Sequence, residues 1–404
     1  MLTWVEIERC LSNFVPFTHL YKIFRDFFQS FESISQRFSL MQEGMDMVAS
    51  NTTSLDSRVI SLEGKEVYAP RPKSFEVNLL DFGWTGKRTL DVTSILQQAI
   101  NEAQVHTTVD GGAPPIIFPP GQGSLSSTIT WKSSPLIGHS IANAGTRIYW
   151  EGPDTSPAFV KDPNLSGGLS FGKMTYINFR PGQSQPASWI DFGQSGKRVD
   201  AHLELSWIHF VGGYHQIKCG GWYNLHWEHL RFDASLSYPL VFKPTAGQFL
   251  SSGHIGKFTY DPSFGFGPTR QVTAPGFVLF DLTEANANLG TFTFATGRVE
   301  GLATPWPLPS SLIVLHQPVS NTNTRLLNIA LRDLTIHANF QQTGGLIHRT
   351  QESLTGSDLF LLDNVHTYQV PNILSGNWPS FIQKPAMPVQ GRIYALTYND
   401  VEVP

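Results

Sequence analysis

Two aspartates in the middle of the chain have the type and spacing that general acid–base catalysis requires. Asp233 and Asp261 each end a copy of the same apolar pattern, in two successive copies. If each copy forms a strand of a stacked sheet, the two carboxyl groups lie about 4.8 Å apart. Two carboxylates that close cannot both ionise freely, and carboxylate pairs cleave glycosidic bonds in many hydrolases. We therefore take Asp233 and Asp261 as candidate catalytic residues, with Glu228 and Glu204 as further candidates on nearby strand positions.

The two aspartates also admit a structural interpretation. An aspartate at the end of a strand commonly accepts hydrogen bonds from the backbone amides of the turn that follows it. Both carboxylates would then stabilise turns and take no part in a reaction. The sequence leaves the catalytic and the structural interpretations open.

Histidines are concentrated around the same pattern, without the spacing of a metal site. They are His202, His209, His215, His226 and His229. No His-Glu-x-x-His motif is present, and the two cysteines, Cys10 and Cys219, are too few for a structural zinc site or a disulfide framework. We expect neither a metal nor any other cofactor.

Tryptophans can stack on the apolar faces of sugar rings, and Trp189, Trp207, Trp222 and Trp306 are candidates for that role. Trp207 lies where the apolar pattern breaks and is expected outside, whereas Trp227 occupies an apolar position and is expected in the core. His209 and Arg231 occupy equivalent outward positions of adjacent copies and can add polar contacts. The predicted substrate-binding residues are therefore Trp207, Trp222, His209 and Arg231.

The pattern that positions these residues is apolar-x-x-apolar-x-apolar. Its copies are Met174/Ile177/Phe179, Leu205/Ile208/Phe210, Trp227/Leu230/Phe232, Ile255/Phe258/Tyr260, Leu289/Phe292/Phe294, Leu331/Leu334/Ile336 and Leu362/Val365/Thr367. The last two apolar residues alternate as in a half-buried strand, and the preceding two residues break the alternation as a corner would. Copies recur roughly every 22 to 42 residues, which is the spacing of a solenoid. The sequence thus predicts a parallel β-helix whose stacked rungs share one core.

Composition supports a rigid, turn-rich β-protein. Charged residues make up 15% and aromatic residues 12% of the 404 residues, and Gly and Pro are abundant, which argues against disorder. The formal charge of −4 gives no electrostatic reason to bind nucleic acid or an anionic membrane. No basic region precedes an apolar run at the N-terminus, and no apolar segment reaches eighteen residues, so we expect no export signal and no membrane insertion.

The N-terminal part has a different periodicity. From Phe17 to Leu62, apolar residues recur at both seam positions of about seven heptads, interrupted only by Thr52. This pattern predicts an α-helical coiled coil, on the order of 70 Å long. The alternative is one long amphipathic helix packed on its own domain. The width of the Phe residues in the seam favours three strands, although seam chemistry alone does not settle the number.

Breaks in these patterns divide the chain into five segments. Residues 1–66 form a short N-terminal segment and the coiled-coil stem, and residues 67–78 are a linker containing Ala69-Pro70-Arg71-Pro72. Residues 79–138 hold a helix over residues 91–103, capped by Asp91 or Thr89, and the first strands. Residues 139–377 are the β-helix body. Residues 378–404 are a tail that covers the last rung or joins a neighbouring chain.

A family resemblance is carried by three features in order: the segment 80–86 (LDFGWTG), the helix after it, and the segment 117–121 (IFPPG). Together they resemble the first segment of pectate-lyase-like, right-handed β-helix proteins, particularly the trimeric tailspikes of bacteriophages. The resemblance implies a right-handed parallel β-helix, preceded here by a coiled coil, in a homotrimer. It also implies that the helix covers the open end of the first rung. Calcium-binding acids and a catalytic arginine of pectate lyases cannot be placed in this chain, so lyase activity is not carried over.

The resulting functional hypothesis is a tailspike of the phage tail that recognises a host surface polysaccharide and is held by a tail or baseplate protein through its N-terminus. A second hypothesis adds enzyme activity, as a polysaccharide depolymerase of the glycoside hydrolase type. A third is a purely structural tail or baseplate component without glycan activity.

Overall fold

The computed structural model describes residues 76–106, 113–140, 145–162, 170–193, 201–244, 249–263, 272–283, 288–302, 304–316, 326–350, 359–377 and 390–399. The chain divides into Met1–Lys73 and Ser74–Pro404, and all described residues belong to the second unit. The predicted coiled coil lies outside the described residues, as does most of the predicted linker. The coiled coil and the homotrimer therefore stay predictions.

Nearly all described strands pair in parallel with the strand one rung later, and the rungs stack into three faces. On the first face lie β1 (Val77–Asn78), β2 (Ile116–Ile117), β5 (Leu136–Ile137), β8 (Ser170–Thr175), β11 (Ala201–Val211), β13 (Trp222–Asp233), β15 (Phe249–Gly256), β18 (Asn288–Ala295), β21 (Leu326–Arg332) and β24 (Leu359–Tyr368). The strands β11, β13 and β24 continue around a corner onto the second face.

The second face also holds β3 (Gly121–Leu125), β6 (Thr146–Trp150), β9 (Ile177–Pro181), β16 (Thr259–Asp261), β19 (Arg298–Val299) and β22 (Thr335–His337). A separate nine-stranded sheet makes the third face, with β4 (Ile129–Trp131), β7 (Phe159–Lys161), β10 (Ser188–Phe192), β12 (His215–Cys219), β14 (Leu240–Phe242), β17 (Gly276–Asp281), β20 (Ser311–His316), β23 (Gly345–Arg349) and β25 (Leu374–Gly376). The predicted parallel β-helix is confirmed by this pairing.

The corner between the first two faces explains the recurring pattern. The first apolar residue of a copy points into the core from the first face, and the last two point into it from the second face. The residue between these strands has a positive φ in seven successive rungs: Tyr176, Trp207, His229, Lys257, Thr296, Asp333 and Asn364. The predicted break in alternation is therefore a left-handed residue that turns the chain.

One copy of the pattern was assigned wrongly. Ile255 pairs with Phe294 and Tyr260 pairs with Val299, so the fifth copy is Phe294/Gly297/Val299 rather than Leu289/Phe292/Phe294. Its middle position is a glycine because the ring of Phe258, one rung earlier, fills that space. A Cβ at Gly297 would lie 2.3 Å from two ring atoms of Phe258.

The single described α-helix, α1 (Thr93–Val105), packs on strands β1, β2 and β4 of the first rungs. Its buried face consists of Leu96, Ala99, Ile100 and Ala103, while Ile95 is partly buried against the same core. Asp91 accepts a hydrogen bond from the backbone N–H of Thr93 at 2.9 Å and so holds the start of the helix. Burial opposes ionisation of Asp91, but hydrogen bonds from Ser126 and Thr93 outweigh it and lower its pKa.

The far end of the described sheet is paired differently. Strand β26 (Gln390–Asn399) runs antiparallel to β24 along its whole length, from Tyr368–Gln390 to Leu359–Asn399. It therefore satisfies the backbone edge that the last rung of the first two faces would leave open. Among the described residues, no helix is long and apolar enough to cross a membrane.

The Gly297 position provides a direct test of the rung register. We expect Gly297→Ala to lower the stability of the β-helix by about 1–3 kcal/mol, because the new methyl group collides with Phe258. Phe258 cannot move easily, since it is buried and stacks on Phe277 at 5.1 Å. Thermal or denaturant unfolding measures the change.

The matched control is the same substitution in a Phe258→Leu background, which removes the two nearest ring atoms. There Gly297→Ala should cost much less, and the difference between backgrounds measures the contact. An equal cost in both backgrounds would contradict the assigned register.

Candidate functional site

The outward residues of the first face line up in columns because each strand pairs in register with the next. One column runs His202, Asn224, Ser252, Thr291 and Asn328, and a second runs Lys173, Glu204, His226, His254 and Thr293. With Glu228, the members of these two columns form what we call the polar strip. From β8 to β21 the strip crosses five rung steps, a length of about 24 Å.

Hydrogen bonds within the polar strip hold its side chains in place along the columns. Ser252 donates to Asn224 Oδ1 at 2.6 Å, and Asn328 donates to Thr291 Oγ1 at 3.3 Å. The imidazoles of His226 and His254 stack with their centroids 5.4 Å apart. The strip is thus a preorganised surface of amides, hydroxyls, imidazoles and charged groups.

A carboxylate–imidazole pair lies in the middle of this strip. His254 Nε2 donates to Glu228 Oε1 at 3.1 Å, while Glu228 Oε2 is buried without a hydrogen-bond partner and lies 4.0 Å from Lys257 Nζ. The carboxylate has room because the next rung carries Gly256, where a Cβ would lie 2.6 Å from Glu228 Oε1. The side chain of His254 is 38% exposed, so a ligand can reach it.

Glu204 lies one strand earlier on the same face. It accepts a hydrogen bond from Lys173 Nζ at 2.8 Å, and its side chain is 44% exposed. Strand pairing places Glu204 beside His226, two positions from Glu228 along the strand direction. The structure therefore brings Glu204 and Glu228 onto one accessible surface.

Asp233 and Asp261 pair in register on adjacent strands, as the sequence predicts. Asp233, however, is fully buried: its Oδ2 accepts hydrogen bonds from His209 Nε2 at 2.7 Å and Arg231 Nε at 2.8 Å. Asp261 Oδ1 accepts from the backbone N–H and the hydroxyl of Ser263. These contacts are those of the structural interpretation, and Asp233 in addition has no exposed surface that could touch a substrate.

The aromatic candidates separate into core and surface. Trp189 and Trp306 are fully buried, so the expectation that they bind sugars is wrong, and Trp227 is buried as predicted. Trp207 is 38% exposed at its corner, but the imidazole of His229 covers one face of its ring at 3.7 Å. Tyr176 stacks at 6.1 Å on the same indole.

Trp222 begins strand β13, and its side chain lies outside the described part of the structure. His209 and Arg231 pair in register as predicted, although they differ in access. His209 is almost completely buried, whereas the Arg231 side chain is 41% exposed.

Three side chains that the sequence analysis did not select contribute to the outward surfaces of the first and second faces. His254 holds the same place in its copy as His226 but was not singled out, and only strand pairing places it beside Glu228. Arg180 follows the first copy of the pattern, Arg147 lies before it, and both are on the outward side of the second face. Within the described residues, no group of three or more His, Cys, Asp or Glu side chains could hold a metal ion.

Comparisons with known proteins return similar solved structures but no family. No protein-family model and no curated protein matches the chain. Similar solved structures include ORF18 of Geobacillus virus E2 (15% identity, TM-score 0.38, 72% of this chain and 62% of that chain). Others are the mannuronan C-5 epimerase A-module of Azotobacter vinelandii (14%, 0.33, 77% and 97%) and an exopolygalacturonase from Thermotoga maritima (12%, 0.35, 79% and 95%).

The chain thus spans less than two thirds of the length of the Geobacillus virus protein. Its own parallel strand pairing defines it as a β-helix protein, and the solved structures above are what it is similar to. The activities named for the epimerase and the exopolygalacturonase are properties of those two proteins.

One buried and one half-buried histidine make the stability of the β-helix depend on pH. Burial lowers the pKa of His209 and of His215 below the ordinary 6.5, so the folded protein favours the neutral imidazoles. This stabilisation is present above about pH 6.5 and is lost as the pH falls towards the folded-state pKa values. We expect the melting temperature to fall with acidification over that range.

His209→Gln with His215→Asn should flatten this dependence, because both replacements stay neutral. Each keeps an N–H donor, towards Asp233 and towards the carbonyl of Tyr238 respectively. A double variant with the same pH slope as the parent would show that other groups cause the acid sensitivity.

Proposed function

We propose that this chain is a virion-associated receptor-binding protein of the tailspike type, which binds a bacterial surface polysaccharide along the polar strip. The observation that carries the proposal is the strip itself, about 24 Å of aligned polar side chains on rigid strands. A glycan presents hydroxyl donors and acceptors at regular intervals, and a solenoid offers an extended surface to such a polymer.

Preorganisation supports this function on energetic grounds. Side chains already ordered by contacts such as Ser252–Asn224 and Glu228–His254 lose little further conformational entropy when a ligand binds. The exposed members His202, Asn224 and His226 can then exchange water for glycan hydroxyls. The sequence resemblance to phage tailspikes adds the biological setting.

The N-terminal heptads supply the rest of the proposal. A coiled coil over residues 17–62 would join three chains into a homotrimer, and the segment before it would attach to a tail or baseplate protein of the virion. The competing proposal is a purely structural tail or baseplate component, for which the polar strip would have no ligand.

Binding is tested with host surface polysaccharides immobilised on a sensor. We expect retention by at least one of them and a roughly tenfold loss of affinity in His226→Ala, whose exposed imidazole lies in the strip. His106→Ala, at the exposed end of α1, is the matched control and should bind like the parent. Absence of binding to every candidate host polysaccharide would favour the structural component.

Cleavage of the glycan is a second candidate function, favoured by the accessible Glu228–His254 pair with Glu204 one strand away. We expect Glu228→Gln and Glu204→Gln to abolish shortening of the bound polysaccharide while binding is kept. The reason is that an amide neither donates a proton nor acts as a nucleophile. Chain length after incubation is the measurement.

Asp261→Asn is the control for this test. It should keep cleavage and cost about 1 kcal/mol of stability, because Asp261 holds a turn. Loss of cleavage in a stably folded Asp261→Asn variant would return the catalytic role to the Asp233–Asp261 pair.

A further inference from the structure

The outward side of the second face carries three arginines, Arg147, Arg180 and Arg231, which we call the arginine patch. Arg180 is the best defined of them. Its Nε donates to Asn178 Oδ1 at 3.2 Å, which fixes the guanidinium plane. No described carboxylate lies within 4.0 Å of Arg180, and its terminal nitrogens make no hydrogen bond to a described residue. The free edge of this guanidinium is the fork that binds carboxylates and phosphates.

The surroundings of Arg180 are electrostatically unfavourable in the unbound protein. Burial, and then the positive charge of Arg147, lower the pKa of Arg180, and Arg231 acts in the same direction. The nearby carboxylate, that of Asp233, is already bonded to Arg231 and His209. A bound anion would relieve the repulsion between the guanidinium groups.

The spacing of the patch favours a polymer over a single anion. Arg147 lies on β6, Arg180 on β9 and Arg231 on β13, and these strands are separated by three rung steps in all. The patch therefore extends about 14 Å along the stacking direction. Arg147 and Arg231 share one register column, and Arg180 lies two positions further along its strand. Cations spread in this way fit a chain that repeats its negative groups from one unit to the next.

We propose that the arginine patch binds the oxyanion groups, carboxylate or phosphate, of an acidic surface polymer. This inference rests on the proposed polysaccharide-binding function and adds the charge of the ligand and a second contact surface beside the polar strip. The whole chain carries a formal charge of −4, so a polyanion is repelled unless a local cationic surface receives it.

The test measures binding of the full-length protein to four immobilised polymers at low and high salt. They are polygalacturonate, its methyl ester, polyphosphate and neutral dextran. We expect retention by polygalacturonate or polyphosphate, little retention by the ester or dextran, and weaker retention at high salt. The polymer that is retained best shows whether the bound anionic group is a carboxylate or a phosphate.

Arg180→Gln should weaken binding of the acidic polymer roughly tenfold. The affinity of Arg180→Lys should lie between those of Arg180→Gln and the parent, because lysine keeps the charge but cannot donate two parallel hydrogen bonds. Lys243→Gln removes one positive charge on the third-face side, where Lys243 pairs with Asp281 at 3.0 Å, and should bind like the parent. A melting curve for each variant confirms that it is folded.

Each remaining outcome counts against a specific statement. Equal affinity of Arg180→Gln and the parent overturns the patch as the binding site. Retention by dextran or by a neutral host polysaccharide alone overturns the acidic ligand and leaves the proposed function standing. Failure to bind these four polymers and every host polysaccharide overturns both.

Discussion

The parallel register between successive rungs is the constraint on which the rest of this structure depends. Backbone hydrogen bonds hold each strand about 4.8 Å from the next, and buried apolar residues fix which residues face each other. On the second face this core ladder includes Phe179, Phe210 and Phe232, whose rings stack at 5.3 and 5.7 Å. Once the inward residues are in register, the outward ones are as well. The polar strip and the arginine patch both follow from that fact.

The corner between the faces shows how the chain maintains this register. A left-handed backbone costs a non-glycine residue about 1–2 kcal/mol, yet seven successive corners use one. Part of this cost is offset because the backbone N–H of the corner residue donates a hydrogen bond to the next rung. Tyr176 N–H donates to Ser206, and Asp333 N–H donates to Asp363. Stacking of Trp207 on His229 stabilises two corners further. The indole is therefore part of the scaffold as well as of the surface.

Much of the fold could be predicted from the sequence, because buried strands leave a periodic trace. The corner pattern, the helix face around Ile100 and the pairing of Asp233 with Asp261 were all readable from residue type and spacing. The fifth copy failed at Gly297, since a glycine carries no apolar signal and its space is filled from the previous rung by Phe258. The burial of Trp189 and the pairing of His254 with Glu228 depend on neighbours in other rungs, which no local pattern encodes.

The same register gives chemically similar groups opposite roles, and burial decides between them. Asp233 and Glu228 belong to one strand, but Asp233 is enclosed and bonded to Arg231 and His209, while Glu228 faces an exposed imidazole. On the first face, Glu204 and Glu228 each have a basic partner, so their negative charges are compensated inside the protein. On the second face, Arg180 has no carboxylate of the described chain within ion-pair distance and has arginines as neighbours. A cation among like charges lowers stability, so the most direct explanation of the Arg180 guanidinium is a partner of opposite charge outside the described chain.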